Sequence, residues 1–528
     1  MRLFEMKKGR LRTLLAQAGA ALLVSALIAG CGNNYRPVVT PITPSGPAAQ
    51  PTSYAVVVST TGATTPGVAT IIDYSGDTVM AIAPIGPGPI AFTIDEVGAN
   101  GYTVNSDGTL TNFPITTSLQ AKNITVSTLP STAVPVNLMA PSTGLWAADL
   151  TGNVADLFTG SPEAFKLAIP IATMPVYVAG APTAATQREF VLSQNPQAQA
   201  GFTSTTCNIS PSTVGENGVA TPIEPSDVAD SPIALDPTAG SGTTNAQCPV
   251  FAVESTDQQR MFVLNRGSDT VSVINVQNNT LDQCTPFVDQ SGQTVNCHPI
   301  LPLSTTAVTN TGVTPPNGTT GMTAVAGPID AEYNQATSQL VVANYDGGTI
   351  TVIDVSLDLY GNDSPTFGTT YTVKVGNTAN PLPASVTVLA DGSKAYTANQ
   401  GDCTPDCTTS PNGTVSVVNL STHTLEKTLT VVGNPRTVLN TQNSEYDKVY
   451  VASPNSPYVT IIETTPTEID VIDTTVLLEG DVVDLRVTTQ NGTTGNNDYT
   501  SRVPGYGQPC NLPGASQTAT LDTCRAIQ

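Results

Sequence analysis

Hydrophobic and polar positions along this chain alternate in short runs of four to eight residues, and the runs are broken at regular intervals by Asn, Asp, Gly and Pro. Alternation with a period of two places every second side chain on one face of an extended strand, and the breaking residues are those that tight turns require. Aligning the chain on itself sharpens the pattern. The segments RMFVLNRGSDTVSVINV from Arg260, QLVVANYDGGTITVIDV from Gln339, KAYTANQG with NGTVSVVNL from Lys394, and KVYVASPNSPYVTIIET from Lys448 share one design. Each predicts a hairpin: an apolar strand, a turn, then a second strand ending in Asn275, Asp354, Asn419 or Glu463. Those four residues are expected to bond nearby backbone and begin the next turn.

A proline followed by an apolar run precedes each hairpin, at Pro89, Pro135, Pro175, Pro249, Pro328, Pro383 and Pro435. This counts seven innermost strands. Residues 54–83 supply three further strands without such a start, and residues 481–489 supply one strand after the last repeat. Pairing the two ends closes a ring and removes exposed sheet edges. The expectation is an all-β chain forming a β-propeller of four-stranded blades, eight by this count and seven as the alternative, closed by its N- and C-terminal strands.

The first thirty residues differ from the rest. Arg2, Lys7, Lys8, Arg10 and Arg12 precede an uncharged apolar stretch, residues 14–30, and together they predict an export signal. The stretch ends in Leu27-Ile28-Ala29-Gly30-Cys31, which resembles the lipobox of bacterial lipoproteins. The resemblance implies that Cys31 is lipidated after cleavage and anchors the mature chain to a membrane; Gly32 after it points to the outer membrane. Residues 31–53, rich in Pro, Thr and Ser, then read as a tether, residues 54–489 as the propeller and residues 490–528 as a polar, peripheral tail.

The chain has 528 residues, with 19 basic and 41 acidic side chains. The signal holds five of the basic and one of the acidic groups, so removing it leaves about −26. Such a surface repels nucleic acid. The remaining eight cysteines, Cys207, Cys248, Cys284, Cys297, Cys403, Cys407, Cys510 and Cys524, are an even number suited to an oxidising compartment. Sequence neighbours suggest the pairs 207–248, 284–297, 403–407 and 510–524. The spacing lacks paired CxxC motifs, which argues against zinc.

The hairpins resemble YVTN-type repeats, whose pattern runs from a YVTN strand to a TVSVID strand and which build β-propellers in bacterial surface and periplasmic proteins. The match covers residues 250–465 well and the earlier third weakly. Related lactonase-like propellers hydrolyse sugar lactones, so a hydrolase is the alternative to a binding or scaffold protein. In the repeat alignment neither His298 nor His423 lies near another candidate catalytic group. The single Trp146 reads as a packing residue, which argues against a quinone cofactor, and no cofactor is expected. Asp346-Gly347-Gly348 reads as a turn; it lacks the alternating oxygen ligands of a calcium loop.

In a four-stranded meander, the connections between strands two and three share a face with those leading to the next blade. The insertion 194–217, Cys207, Cys248, Cys403 and Cys407 are therefore expected on one face, the candidate surface for a protein or carbohydrate partner. Cys284 and Cys297 are expected to close an excursion on the other.

Overall fold

Val, Ile, Thr and aromatic residues dominate the segments between turns, and among the described residues of the computed structural model these segments are strands, with one 3-10 turn at Ala121–Asn123. The structure describes residues 53–488 and 494–495, with the exception of residues 132, 134, 151, 181–187, 195–217, 239–245, 247, 290–291, 304–325, 379–380, 405–411, 443–446, 455 and 466–468.

The strands form eight antiparallel blades, each ordered from the axis outward as strands one to four. Blade 2 spans residues 89–128, blade 3 135–170, blade 4 175–234, blade 5 249–302, blade 6 328–374, blade 7 383–432 and blade 8 437–477. Blade 1 is composite. Its outer strands are Tyr54–Thr60, Pro66–Asp73 and Val79–Pro87, and its innermost strand is Asp481–Val487, which pairs antiparallel with Tyr54–Thr60 from Ala55↔Val487 to Thr60↔Asp481. Each innermost strand packs on the next, and the series returns from blade 8 through Asp481–Val487 to blade 2, so the ring is closed. Eight blades, joined by the two ends of the chain, is the architecture.

The prolines have a local consequence. In blades 2 to 7 the register slips directly after the first residue of strand one, between Pro89 and Ala91 in blade 2 and likewise at Pro135, Pro175, Pro249, Pro328 and Pro383. Proline has no N–H for the ladder, and a bulge beside it lets the edge strand resume pairing one residue later. In blade 8 the ladder begins at Thr437, two residues beyond Pro435.

Strands two and three are buried on both faces, as in Arg260–Asn265 and Thr270–Asn275, whereas fourth strands such as Val471–Leu477 alternate. The reason is the stacking of blades: both faces of a blade meet a neighbour. The core is accordingly a set of layers between blades. Tyr450 and Leu485 lie between blades 8 and 1, Ile71 and Phe92 between 1 and 2, Tyr102 and Leu138 between 2 and 3, Val341 and Val386 between 6 and 7, and Tyr396 and Val438 between 7 and 8. Trp146, Phe190, Phe262 and Leu340 belong to one layer running from blade 3 to blade 6.

Two sequence expectations about the periphery are corrected. The cysteine-closed excursion does not leave from a face. It interrupts strand four of blade 5, whose halves Thr280–Leu281 and Ile300–Pro302 both pair with Thr270–Asn275. An outermost strand has a ladder on one side only, so a break there costs fewer hydrogen bonds than a break further in. The tail is not wholly peripheral, because Thr494–Gly495 pairs with Tyr333 and Asn334 at the end of strand one of blade 6.

Candidate functional site

The face that receives each blade is built on a repeated polar unit. In blades 2, 5, 6 and 7 strand two carries Asn105, Asn265, Asn344 or Asn399 where it reaches this face. Each amide Nδ2 donates to two hydroxyls on strand three: Thr109 and Thr111, Thr270 and Ser272, Thr349 and Thr351, Thr414 and Ser416, all within 2.8–3.2 Å. Both sides of the turn are thereby fixed, which is what a rigid platform for loops needs.

The residue after this position is Ser106, Arg266, Tyr345 or Gln400, and in blade 4 it is Gln194. Its backbone N–H donates at 2.9–3.0 Å to the carbonyl of the residue preceding the proline of strand one, namely Gly88, Cys248, Gly327, Leu382 and, for Gln194, Met174. All five acceptor residues have positive φ, between 48° and 59°. Residues before proline are pushed away from helical backbone, and the left-handed region aims the carbonyl at this donor.

Side chains then link neighbouring blades. Arg266 grips Asp346 with Nη2 at 3.1 Å from Oδ1 and Nε at 3.3 Å from Oδ2, and its guanidinium lies 5.7 Å from the Tyr345 ring centre. Tyr345 donates its hydroxyl to Gln400 Oε1 at 3.3 Å, and Gln194 Nε2 donates to the Pro249 carbonyl at 3.4 Å. Burial pushes the Tyr345 hydroxyl up, so it remains a donor at any physiological pH. Gly327 is required here, because a Cβ on it would lie 1.9 Å from Asp346 Oδ2. Asp346 thus serves an arginine in its turn.

Connectivity places four exits of the chain on this same face: after Gln194 and after Thr404 between strands two and three, and after residues 238 and 303 on the way to the next blade. These exits belong to blades 4, 5 and 7, and Gln194, Arg266, Tyr345 and Gln400 lie on the same face of blades 4 to 7. Sequence reasoning named the insertion, residues 195–217 of which lie outside the described residues, but missed this linked set; its signal was the variable residue following the repeated asparagine.

Toward the axis, strand-one polar groups are committed to the adjacent blade. Asn137 Oδ1 accepts from Val178 N, Asp330 Oδ2 from Val386 N and Ser385 Oγ from Val438 N, all at 2.8–2.9 Å. Arg486, fully buried, pairs with Asp484 through both terminal nitrogens at 2.7 and 3.1 Å.

Cys284 and Cys297 are joined by a disulfide with Cα atoms 5.5 Å apart. Cys248 is buried and disulfide-bonded, directly before Pro249. Cys403 lies in the extension of strand two, Lys394–Thr404. Cys31, Cys207, Cys407, Cys510 and Cys524 lie outside the described residues. Trp146 is buried and donates Nε1 to Thr143 at 3.2 Å. His423 stacks on Tyr371 with ring centres 3.7 Å apart.

The isolation of His298 is corrected. Its Nδ1 is 2.8 Å from Oδ2 of the buried Asp363, which Arg260 also binds at 3.2 Å, and Arg260 reaches Asp282 as well. The turn containing Asp363 belongs to blade 6, which the alignment of repeats could not place beside blade 5's excursion. This group pins the disulfide hairpin to the outer edge of the ring.

Among the described residues one acidic trio, Asp77, Glu463 and Asp473, brings carboxylate oxygens within 4.8 Å of one another. Lys448 Nζ stands 2.6 Å from Asp77 and 3.3 Å from Glu463, so an ammonium already occupies the position a cation would take.

No family model matches this sequence, and no curated protein matches it. Among solved structures, the dihydro-heme d1 dehydrogenase NirN in complex with DHE aligns with a TM-score of 0.51 at 13% identity, covering 84% of this chain and 78% of that one. AztD from Citrobacter koseri aligns at 0.49 and 11% identity over 82% and 97%, and the periplasmic gluconolactonase PpgL of Pseudomonas aeruginosa at 0.44 and 13% over 82% and 98%. At such identities a likeness speaks of fold alone. In fold, this chain is an eight-bladed all-β propeller.

Proposed function

We infer that this chain is a lipid-anchored extracytoplasmic propeller that binds or scaffolds a protein or carbohydrate partner through the face on which strand two of blades 4 to 7 ends. The observation that supports this reading is a shared position: four neighbouring blades place Gln194, Arg266, Tyr345 and Gln400 at one repeat position on this face, three of them joined side chain to side chain. These side chains bond to one another and to the backbone, and a rigid base under a binding face lowers the ordering cost of binding.

Anchoring through Cys31 rests on the signal and lipobox resemblance. Cys31→Ser is expected to move the mature chain from the membrane fraction to the soluble fraction; unchanged partitioning would remove the lipoprotein reading.

For binding, the purified chain is passed over two immobilised probes, surface polysaccharide and detergent-extracted envelope protein. One is expected to retain the wild-type chain and to retain Tyr345→Ala at least tenfold less, since losing an aromatic contact costs on the order of 1–3 kcal/mol. Retention by neither probe, or equal retention of the variant, refutes the assignment of this face.

A further inference from the structure

The seam between blades 8 and 1 joins residues 371 positions apart in the chain. Lys448 opens strand two of blade 8 (Lys448–Ala452) and reaches the turn between strands three and four of blade 1. Its Nζ lies 2.6 Å from Asp77 Oδ2, 2.9 Å from the Tyr74 carbonyl and 3.3 Å from Glu463 Oε1. The Lys448 and Asp77 side chains are each 7% exposed. Tyr450 donates its hydroxyl to the other Asp77 oxygen at 3.2 Å, and the Tyr450 and Tyr74 rings, 5.7 Å apart, pack in the same seam. Asp77 has φ of +50°, so the turn itself holds the carboxyl toward the amine.

These parts are an amine nucleophile, the carboxyl it pairs with, a phenol hydrogen-bonded to that carboxyl and a second carboxylate able to carry protons; the amine and the paired carboxyl are 7% exposed and the second carboxylate 14%. Held contact raises the effective concentration of an amine and a carboxyl by orders of magnitude, and a site that excludes water favours condensation over hydrolysis. We propose that Lys448 Nζ and Asp77 Cγ become joined by an amide bond, with Glu463 as the proton carrier, closing the ring covalently. In this step Glu463 takes one proton from the ammonium and passes it to Asp77. The amine attacks Cγ, a second nitrogen proton follows by the same route, and one Asp77 oxygen leaves with both protons as water. Nζ–Cγ forms, Cγ–O breaks, and nothing is oxidised or reduced.

Burial raises the affinity of Asp77 for a proton, while the flanking carboxylates hold Lys448 as an ammonium, so the ion pair is the starting state and the relay through Glu463 is what the reaction requires. The seam between blades 7 and 8 repeats the arrangement with Lys394, Asp470 and Glu426, but there the lysine is 18% and the glutamate 34% exposed. Water reaches that relay, and Lys394 remains an ion pair. It is the internal control.

The test is a protease digest of the full chain, reduced and alkylated, read by mass spectrometry. The expected result is a branched peptide joining the segments around Asp77 and Lys448, one water lighter than their sum, with no tryptic cleavage after Lys448 and normal cleavage after Lys394. Glu463→Gln, which removes the proton carrier and keeps the side chain's shape, is expected to restore two linear peptides in a chain that still shows its strand spectrum. Asp77→Asn is expected to yield the same branched peptide with ammonia as the leaving group. Linear peptides of full mass from the folded wild-type chain overturn the proposal, and so does a branched peptide undiminished in Glu463→Gln.

Discussion

At the residue scale, one amide serves several blades while its surroundings vary. Asn105, Asn265 and Asn344 donate to strand three in the same way, but only in blade 2 does Oδ1 have a donor of its own, Thr103 Oγ1 at 3.0 Å. Two residues before Asn344 stands Val342, and the buried Asn344 Oδ1 has no hydrogen-bond partner among the described residues. An unpaired buried acceptor costs about 1–3 kcal/mol. Val342→Thr is therefore expected to stabilise the chain, by roughly 1 kcal/mol in urea unfolding, where a core Val→Thr exchange ordinarily destabilises. A clear loss of stability would show that the hydroxyl cannot reach the amide. The repeated asparagine and the Ser or Thr positions were plain in the sequence. That they bond to each other was not, because partners five and seven residues apart meet only when the hairpin has closed.

Strands and their ends carry the next set of consequences. Reading polar strand ends as turn formers holds for three of four: Asn275, Asp354 and Asn419 each accept a backbone N–H from the following turn. Glu463 instead faces Lys448 across the hairpin. The closing strand Asp481–Val487 was legible from its alternation and its position after the last repeat. It buries Leu485 and Val487 completely and supplies every strand-one contact of blade 1. Truncation before Asp481 leaves Tyr54–Thr60 as an open edge and strips a core layer, since each lost aliphatic side chain costs about 2–5 kcal/mol. The truncated chain is expected to lose its single cooperative thermal transition or to aggregate, as followed by circular dichroism and light scattering. A sharp transition at the wild-type temperature would mean that the ring does not depend on this strand.

For the whole molecule, pH is the lever with a definite sign. Burial holds the carboxyls of Asp156 and Glu189 up at about 7 and that of Asp282 at about 6, and pushes Glu254 up as well; neighbouring acids reinforce the effect. Between the unfolded value near 4 and the folded values near 7, the folded chain binds more protons than the unfolded chain. Its stability is then fully present below the unfolded values and declines as pH rises through the folded ones. Glu426, held low by Asn419 and Lys394, acts oppositely and loses its contribution as pH falls through its depressed folded value. The melting temperature is expected to be higher at pH 5.5 than at pH 8, by roughly several degrees. Equal or reversed values would show that these carboxyls are ionised in the folded chain.

The sequence by itself determined the all-β class, the count of eight blades and the pairing of the two chain ends. Period-two alternation, proline-led inner strands and turn residues are local properties that survive without a partner, and a ring is the arrangement in which such repeats leave no inner strand unpaired. What only the tertiary structure decided is which residues meet across seams. His298 finds Asp363, Lys448 finds Asp77, and Arg266 finds Asp346 and Tyr345, because adjacent blades bring together residues 65, 371 and 80 positions apart. No spacing along the chain encodes those contacts; they arise from the stacking of one twisted sheet on the next.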